Sequence, residues 1–160
     1  MPSFLIRRIE PSDLEAVIVV YREAVISQAR GLYSERQIQA WAAHATTSPD
    51  VRAGLLRGYG LACSSCPDGG TIEAFALLDP PDRLSLLYCR GRSSRQGLAT
   101  RLVRGLEAHA LALGIPRLRT EASQLSRPLL ERLGWRVQAE ERLIFAGEPF
   151  LRWRMQRCLE

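Results

Sequence analysis

The stretch SRQGLATRLVRGLEAHALALGIPRLRTEASQLSRPLLERLGW, residues 94–135, decides how the rest of the chain is read. A run of small, polar and basic residues ends at Gly97, and a helical pattern begins at once. Leu98, Leu102, Val103, Leu106 and Ala110 fall on one face of that helix. Gly114 ends it and Pro116 confirms the stop. Residues 117–121 read as a strand, and residues 126–133 as a short helix closed by Gly134. Just upstream, LSLLYC (residues 84–89) is nearly all apolar, the pattern of a central strand covered on both faces. A strand, a basic glycine turn and a helix together suit an anionic ligand. The first amides of a helix have no internal partner and carry the positive end of its dipole. Gly97, without a side chain, lets the backbone approach a ligand closely. Arg92, Arg95 and Arg101 add charge at the rim. The turn is neither a Walker loop nor a dinucleotide fingerprint, since it has no G-K-[ST] and no G-x-G-x-x-G.

The flanking segments extend this into a mixed α/β sheet. Residues 4–9 alternate apolar and basic, as a half-buried strand does. Pro11, Ser12 and Asp13 open a helix, with Ser12 or Asp13 as the cap. SERQ (residues 34–37) has the capping-box form and starts a second helix whose apolar face includes Ile38, Trp41 and Ala42. Residues 48–56 suggest a further short helix. Residues 59–63 and 71–78 read as strands joined by SCPDGGT, a hairpin turn by composition, and DPPD breaks the second strand. Two last strands, residues 136–145 and 150–158, finish the chain. There is no internal repeat, low-complexity tract or linker, so residues 1–160 are expected to form one domain.

Composition narrows the functional classes. The formal net charge is +5, and all 22 basic residues are Arg. They are scattered among carboxylates along the whole chain, whereas a nucleic-acid binder gathers them on one face. No nucleic-acid partner is expected. No apolar run is long enough to span a membrane, and the N-terminus lacks a secretory signal, so a cytoplasmic protein is expected. Cys63 and Cys66 have C-x-x-C spacing, but no second pair follows to complete a zinc site, and the pair runs into a turn rather than a helix. No metal is expected.

Residues 84–135 resemble the cofactor-binding half of the GCN5-related N-acetyltransferases (GNAT). That family reads R/Q-x-x-G-x-G/A on the turn, then a helix, a strand, and a second helix close to A-S-L-N-A-R-P-F-Y-E-R-L-G-F. Here Gly97 and Ala99 hold the small-residue positions. Ala122-Ser123, Arg127-Pro128 and Glu131-Arg132-Leu133-Gly134-Trp135 match the second half without gaps. YSERQIQAWA, residues 33–42, bears a looser likeness to the YafP-type subgroup and would lie on the substrate side. The resemblance implies a mixed, mostly antiparallel sheet of about seven strands flanked by helices, with its two central strands splayed apart. It implies acetyl-CoA as donor, transfer to an amine of a small molecule or protein, and allows a homodimer through the terminal strands. The amides of Gln96, Gly97, Leu98, Ala99 and Thr100, with Ser94 and Arg95, would hold the pyrophosphate. Leu87, Tyr88 and Cys89 would line the pantetheine arm, and an amide near Leu87 or Tyr88 would polarise the thioester carbonyl. Ser123 and Leu130 would face the cofactor from the other side.

Three positions depart from the family pattern. Ser94 replaces Arg or Gln, Leu125 replaces Asn, and Leu130 replaces the Tyr that often protonates the leaving thiolate. The last departure keeps open a non-catalytic acyl-CoA-binding module of the same fold. For catalysis an amine must lose a proton, and a carboxylate is the usual agent. Glu73, on the strand before the motif strand, and Glu121, at the end of the strand beside the cofactor gap, are the candidates. Each also reads as a solvated or structural carboxylate. Ser85 would at most hold a water. Tyr33 is the candidate substrate-side hydroxyl or a packing residue between the first two helices. Trp41 reads as a core or pocket-wall residue, Trp135 and Trp153 as packing residues, His44 as a helix-end residue, and His109 as lying on the exposed side of its helix.

Overall fold

The structure, a computed structural model, describes residues 3–65 and 70–159. Its strands are β1 (Phe4–Arg8), β2 (Tyr59–Ser65), β3 (Ile72–Leu78), β4 (Arg83–Cys89), β5 (Arg117–Ala122), β6 (Arg136–Phe145) and β7 (Glu148–Cys158). Its helices are α1 (Leu14–Gln28), α2 (Glu35–His44), α3 (Pro49–Arg57), α4 (Leu98–Ala112) and α5 (Arg127–Arg132). The seven strands form one sheet in the order β1-β2-β3-β4-β5-β7-β6. Every pairing is antiparallel except β4 with β5, which is parallel. The mixed, mostly antiparallel sheet expected from the motif half is therefore present.

Each face of the sheet buries its own core. On one side Leu98, Leu102, Val103 and Leu106 of α4 and Leu130 of α5 pack on Leu84, Leu118, Trp153 and Met155. On the other, Val17, Tyr21 and Val25 of α1, with Ile38 and Trp41 of α2, pack on Phe75, Leu77 and Leu86. Alternate strand residues serve opposite faces, which is why β3 is buried along its whole length.

Trp135 is nearly fully buried, and its Nε1 donates to Glu107 Oε2 at 3.0 Å. Glu107 also accepts from Arg104 at 2.7 Å and lies 3.5 Å from Arg157 Nε. This network ties α4 to the chain entering β6. Trp135→Phe keeps most of the ring but removes the indole donor to a charged acceptor. It is expected to cost about 1.5–3 kcal/mol, read as a shift in the urea midpoint.

Three local readings change. The turn into α1 is a 3-10 turn, Pro11–Asp13, with Glu10 at its N-cap. Asp13 does not cap α1 through its side chain; its carboxylate instead accepts from Glu10 N and from both terminal nitrogens of Arg7. Arg7, on β1, outcompetes the helix amides because it offers two charged donors in a fixed fork. His109 is not a free surface ring: it stacks on Tyr59 with ring centroids 3.3 Å apart. β4 is not covered throughout, since Ser85, Leu87, Tyr88 and Cys89 are only half-buried. A cavity takes the place of a neighbouring strand. Cys63 is buried in β2, whereas Cys66 and the rest of residues 66–69 in the hairpin turn lie outside the described residues, and so does any geometry of the C-x-x-C pair.

Candidate active site

β4 and β5 pair at only two positions, Arg83 with Arg119 and Leu84 with Thr120. Thr120 Oγ1 reinforces the junction by donating to Leu84 O at 2.6 Å. Beyond it the strands separate. β5 is satisfied on its far side by β7, so the fork costs β5 only one row of hydrogen bonds. A cavity of about 520 Å³ opens in the fork, lined by Leu84 to Cys89 on one side and Thr120 to Ser123 on the other.

One end of the cavity is the basic glycine turn. Gly97 is the N-cap of α4 with φ of 79°, and Arg95 is also left-handed at 62°. A Cβ at Gly97 would meet nothing within 4 Å, so the space before the helix is open. The first intrahelical bond runs from Arg101 N to Gly97 O. The amides of Leu98, Ala99 and Thr100 therefore have no partner in the helix and sit at its positive end.

The turn is pinned from behind. Glu73, on β3, is buried, and its carboxylate accepts from Arg92 Nε at 2.9 Å, Arg92 Nη2 at 2.6 Å and Ser93 Oγ at 2.6 Å. Arg90 Nε lies 3.9 Å away. Hydrogen bonds from Arg92 hold this carboxyl below its ordinary value; burial opposes them, and Ser93 and the nearby guanidinium charges assist. Glu23 of α1 accepts from Gly91 N at 3.0 Å, and Gln28 Nε2 donates to Cys89 O. Two helical turns of α1 and the middle of the sheet thus set where the turn begins.

The other end of the cavity faces α1, α2, α3 and the β6–β7 hairpin. Arg83 bridges two carboxylates there, Glu121 on β5 at 2.7 Å and Asp50 on α3 at 3.2 Å. Tyr33 OH accepts from Gln124 N at 2.9 Å and joins the loop before α2 to the loop after β5. Burial raises the Tyr33 hydroxyl above its usual value, against the pull of the Gln124 and Ser123 hydrogen bonds, so it stays protonated at neutral pH. Trp41 Nε1 donates to Tyr88 OH at 2.9 Å, and Tyr21 stacks on Tyr88 at 4.3 Å.

Residues 32–157 match the family model of the acetyltransferase (GNAT) domain. The chain belongs to the GNAT acetyltransferase family. Among solved structures it is similar to a GCN5-related N-acetyltransferase from Rhodopseudomonas palustris, with 24% identity, a TM-score of 0.88 and 99% and 98% of the two chains covered. It is also similar to PaiA N-acetyltransferase from Thermoplasma acidophilum in complex with coenzyme A, with 20% identity, a TM-score of 0.75 and coverage of 98% and 99%. A third is the ribosomal-protein-S18-alanine N-acetyltransferase from Escherichia coli, with 18% identity, a TM-score of 0.66 and coverage of 99% and 95%. At these identities the likeness is one of fold. No curated protein matches the sequence at a significant level.

In this acetyltransferase the residues singled out for the cofactor gather in one place. Leu87, Tyr88, Cys89, Ser94, Arg95, Gly97, Leu98, Ala99, Thr100, Ser123 and Leu130 all line the cavity, and Gln96 lies between two of them in the turn. The arrangement fits acetyl-CoA: unpaired amides at a helix start suit the pyrophosphate, and an open strand edge suits the amide-bearing arm. Of the catalytic candidates, Glu121 and Tyr33 line the cavity and Glu73 does not. Ser85 lines it and its Oγ donates to Leu77 O at 3.3 Å. Leu130 is 1% exposed and presents no hydroxyl. Sequence reasoning missed Arg83 and Asp50, which sit 33 residues apart and carry no local signal. It also missed Phe145, Phe150 and Arg152, which line the cavity from the hairpin.

Proposed function

We propose that Glu121 is the general base of this acetyltransferase and that the fork between β4 and β5 is its donor site. The activity is transfer of an acetyl group from acetyl-CoA to an amine. The observation that carries the reading is the position of Glu121, the first β5 residue beyond the last β4–β5 pair, inside the cavity. The amides of Gly97 to Thr100, with Arg95 beside them, hold the pyrophosphate. The open edge of β4 from Leu87 to Cys89 aligns the pantetheine arm. Acetyl-CoA supplies an acyl group already activated as a thioester. A typical alkylammonium, with a pKa near 10.4, needs a group to take its proton at neutral pH. Both bonds from Arg83 to Glu121 land on Oε1, which leaves Oε2 for that proton. An amide of Leu87 or Tyr88 stabilises charge developing on the carbonyl oxygen. The Tyr33 hydroxyl, whose oxygen is already engaged by Gln124 N, has its own proton to offer within the cavity.

Glu73 supports this site from outside it. Glu73→Gln keeps the shape of the side chain but loses the charge that holds Arg92. Acetyl-CoA affinity is expected to fall about tenfold, with kcat changed less than twofold, for the loss of one charge-assisted contact. The pH dependence has a definite sign. The folded-state value of this carboxyl lies below the ordinary 4.5, so its contribution is present above 4.5 and is lost as pH falls through the lowered value. Donor affinity measured by fluorescence should hold at pH 5 and above and weaken in stronger acid.

Release of free CoA thiol from acetyl-CoA in the presence of a panel of amines tests the activity. Amine-dependent release supports acyl transfer, and its absence beside intact donor binding would leave a binding module. Free thiols at Cys63, Cys89 and Cys158 fit a reducing compartment, and we place the enzyme in the cytoplasm. β6 is the edge strand at its end of the sheet and is where a second copy would pair in a homodimer.

A further inference from the structure

We propose that the acceptor is an amino acid with an aromatic or bulky apolar side chain, its amine at Glu121 and its carboxylate at Arg152. This rests on reading the cavity as the acyl-transfer site. Glu121 and Arg152 serve the same face of the sheet. Leu118 and Ala122 of β5 and Trp153 and Met155 of β7 belong to the core beneath α4. Glu121, Arg152 and Arg154 alternate with them and so face the α1 and α2 side. Glu121 stands directly across from Arg154. Arg152, two residues along β7, is its diagonal neighbour, at a spacing of about 7–8 Å. A gap of that size between a carboxylate and a guanidinium takes an amine and a carboxylate carried on one carbon. Glu121 Oε2 takes one proton from the ammonium. The amine then forms its C–N bond with the acetyl carbon, the C–S bond breaks, and the second proton goes to the CoA thiolate, giving an N-acetyl amino acid and CoA.

This end of the cavity leaves an acceptor and several donors open. Arg83 spends all five of its N–H donors on Glu121 Oε1, Asp50 and the carbonyl of Asp79. Glu121 Oε2 accepts from none of the described residues. Arg152 lines the cavity and spends only Nε, which donates to Glu141 Oε1 at 3.0 Å. Both of its Nη groups are without a hydrogen-bond partner among the described residues, and the Tyr33 hydroxyl proton adds a further donor. The charges balance in sum. Asp50, Glu121 and Glu141 are matched by Arg83, Arg152 and Arg154, the last lying 3.6 Å from Glu141 Oε2. Glu148 is met by Arg36 at 3.4 Å. Arg95 stands in the glycine turn, and Arg132 on α5, which packs on the opposite face of the sheet from α1 and α2. His44 packs its ring against Phe145 with centroids 4.6 Å apart. A balanced end with one carboxylate oxygen and one guanidinium edge open suits a ligand bearing one charge of each sign. The planar Nη1–Nη2 edge takes a carboxylate bidentately, and a phosphate would bring a second negative charge with nothing to match it. The remaining wall is aromatic. The Phe150 ring lies 5.8 Å from Tyr33, 6.0 Å from Trp41 and 5.5 Å from Phe145. Trp41 gives its N–H to Tyr88, so these rings offer the acceptor's side chain mainly apolar contact.

Matched acceptors test this with the full chain and saturating acetyl-CoA, read as release of CoA thiol. Phenylalanine is compared with 2-phenylethylamine, which lacks the carboxylate and is the more basic amine. It is also compared with phenylalaninamide, which masks the carboxylate and is the less basic amine, and with glycine, which lacks the ring. Phenylalanine should exceed both carboxylate-free amines by at least about 30-fold in kcat/KM, a ranking that basicity alone cannot produce. Loss of the ring should cost glycine at least about tenfold. Arg152→Met keeps the stem and removes the fork. It should bring the ratio of phenylalanine to 2-phenylethylamine down to about threefold or less, with Arg152→Lys between it and the wild type. Either carboxylate-free amine matching phenylalanine, glycine matching it, an unchanged ratio in Arg152→Met, or no turnover of any amino acid overturns the inference. Calorimetric titration of acetyl-CoA on the same preparations separates the two levels. If the donor binds and the amino acids fail, only the acceptor class is wrong; if the donor does not bind, both readings fall.

Discussion

Gly97→Asp is expected to abolish acetyl-CoA binding in a protein that remains folded. The substitution acts on the fold and on the ligand with opposite signs. Gly97 is the N-cap of α4, and a Cβ there would meet nothing within 4 Å. Asp is a favourable N-cap and tolerates the left-handed region better than most residues, so the strain of about 1–2 kcal/mol is partly offset by capping. In the proposed donor site the same carboxylate would stand where the pyrophosphate needs the amides of Leu98, Ala99 and Thr100. Like charges in contact cost several kcal/mol, so affinity should fall by at least about 100-fold. Gly97→Ala separates charge from strain: it shares the backbone cost without the carboxylate, and its loss should stay under about tenfold. Titration calorimetry and thermal melts read both variants. Equal losses for Ala and Asp would mean that the turn binds no anion.

Glu121→Gln should leave donor affinity intact and lower kcat/KM for the amine by about 100- to 1,000-fold, within the usual range for a general base. Gln still offers an oxygen to Arg83, so the cluster with Asp50 need not collapse. The pH profile carries the sharper signature. Without the base, rate follows the fraction of neutral amine, which rises tenfold per pH unit below the amine pKa. The variant should therefore recover steadily towards alkaline pH while the wild-type profile is flatter near neutrality. A variant with wild-type rate and profile would remove Glu121 from the proton path.

The elements built from short-range signals were legible in the sequence. Gly97, the apolar face from Leu98 to Ala110, and the stop at Gly114 and Pro116 mark α4 to within a residue or two. Ser34 and Gln37 form the capping box as read, each side chain bonded to the other's backbone. What the sequence conceals is pairing at a distance. LSLLYC reads as a doubly covered strand, yet Leu87 to Cys89 face a cavity, because nothing local reveals that the β4–β5 ladder stops after Leu84 and Thr120. Glu73 and Glu121 looked alike as acids on neighbouring strands. Their surroundings separate them: Glu73 is enclosed by Arg92 and Ser93 from the turn, while both bonds from Arg83 to Glu121 fall on Oε1 and, among the described residues, leave Oε2 to the fork. The acceptor end was the least legible part. Asp50, Arg83, Glu121 and Phe150 come from four different elements, and only the closed sheet brings them to one wall.

The central claim is that the fork and the glycine turn form one acetyl-CoA site. Calorimetric titration of acetyl-CoA into the wild-type protein, at low and moderate salt and with ATP as a control, tests it most directly. The account predicts one site of micromolar affinity that survives moderate salt and is much tighter than ATP, because the pantetheine arm fills the fork that ATP leaves empty. No heat of binding, or an affinity no better than that of ATP and lost with salt, would contradict it: the turn would then be a basic surface and the fork would not be a donor site.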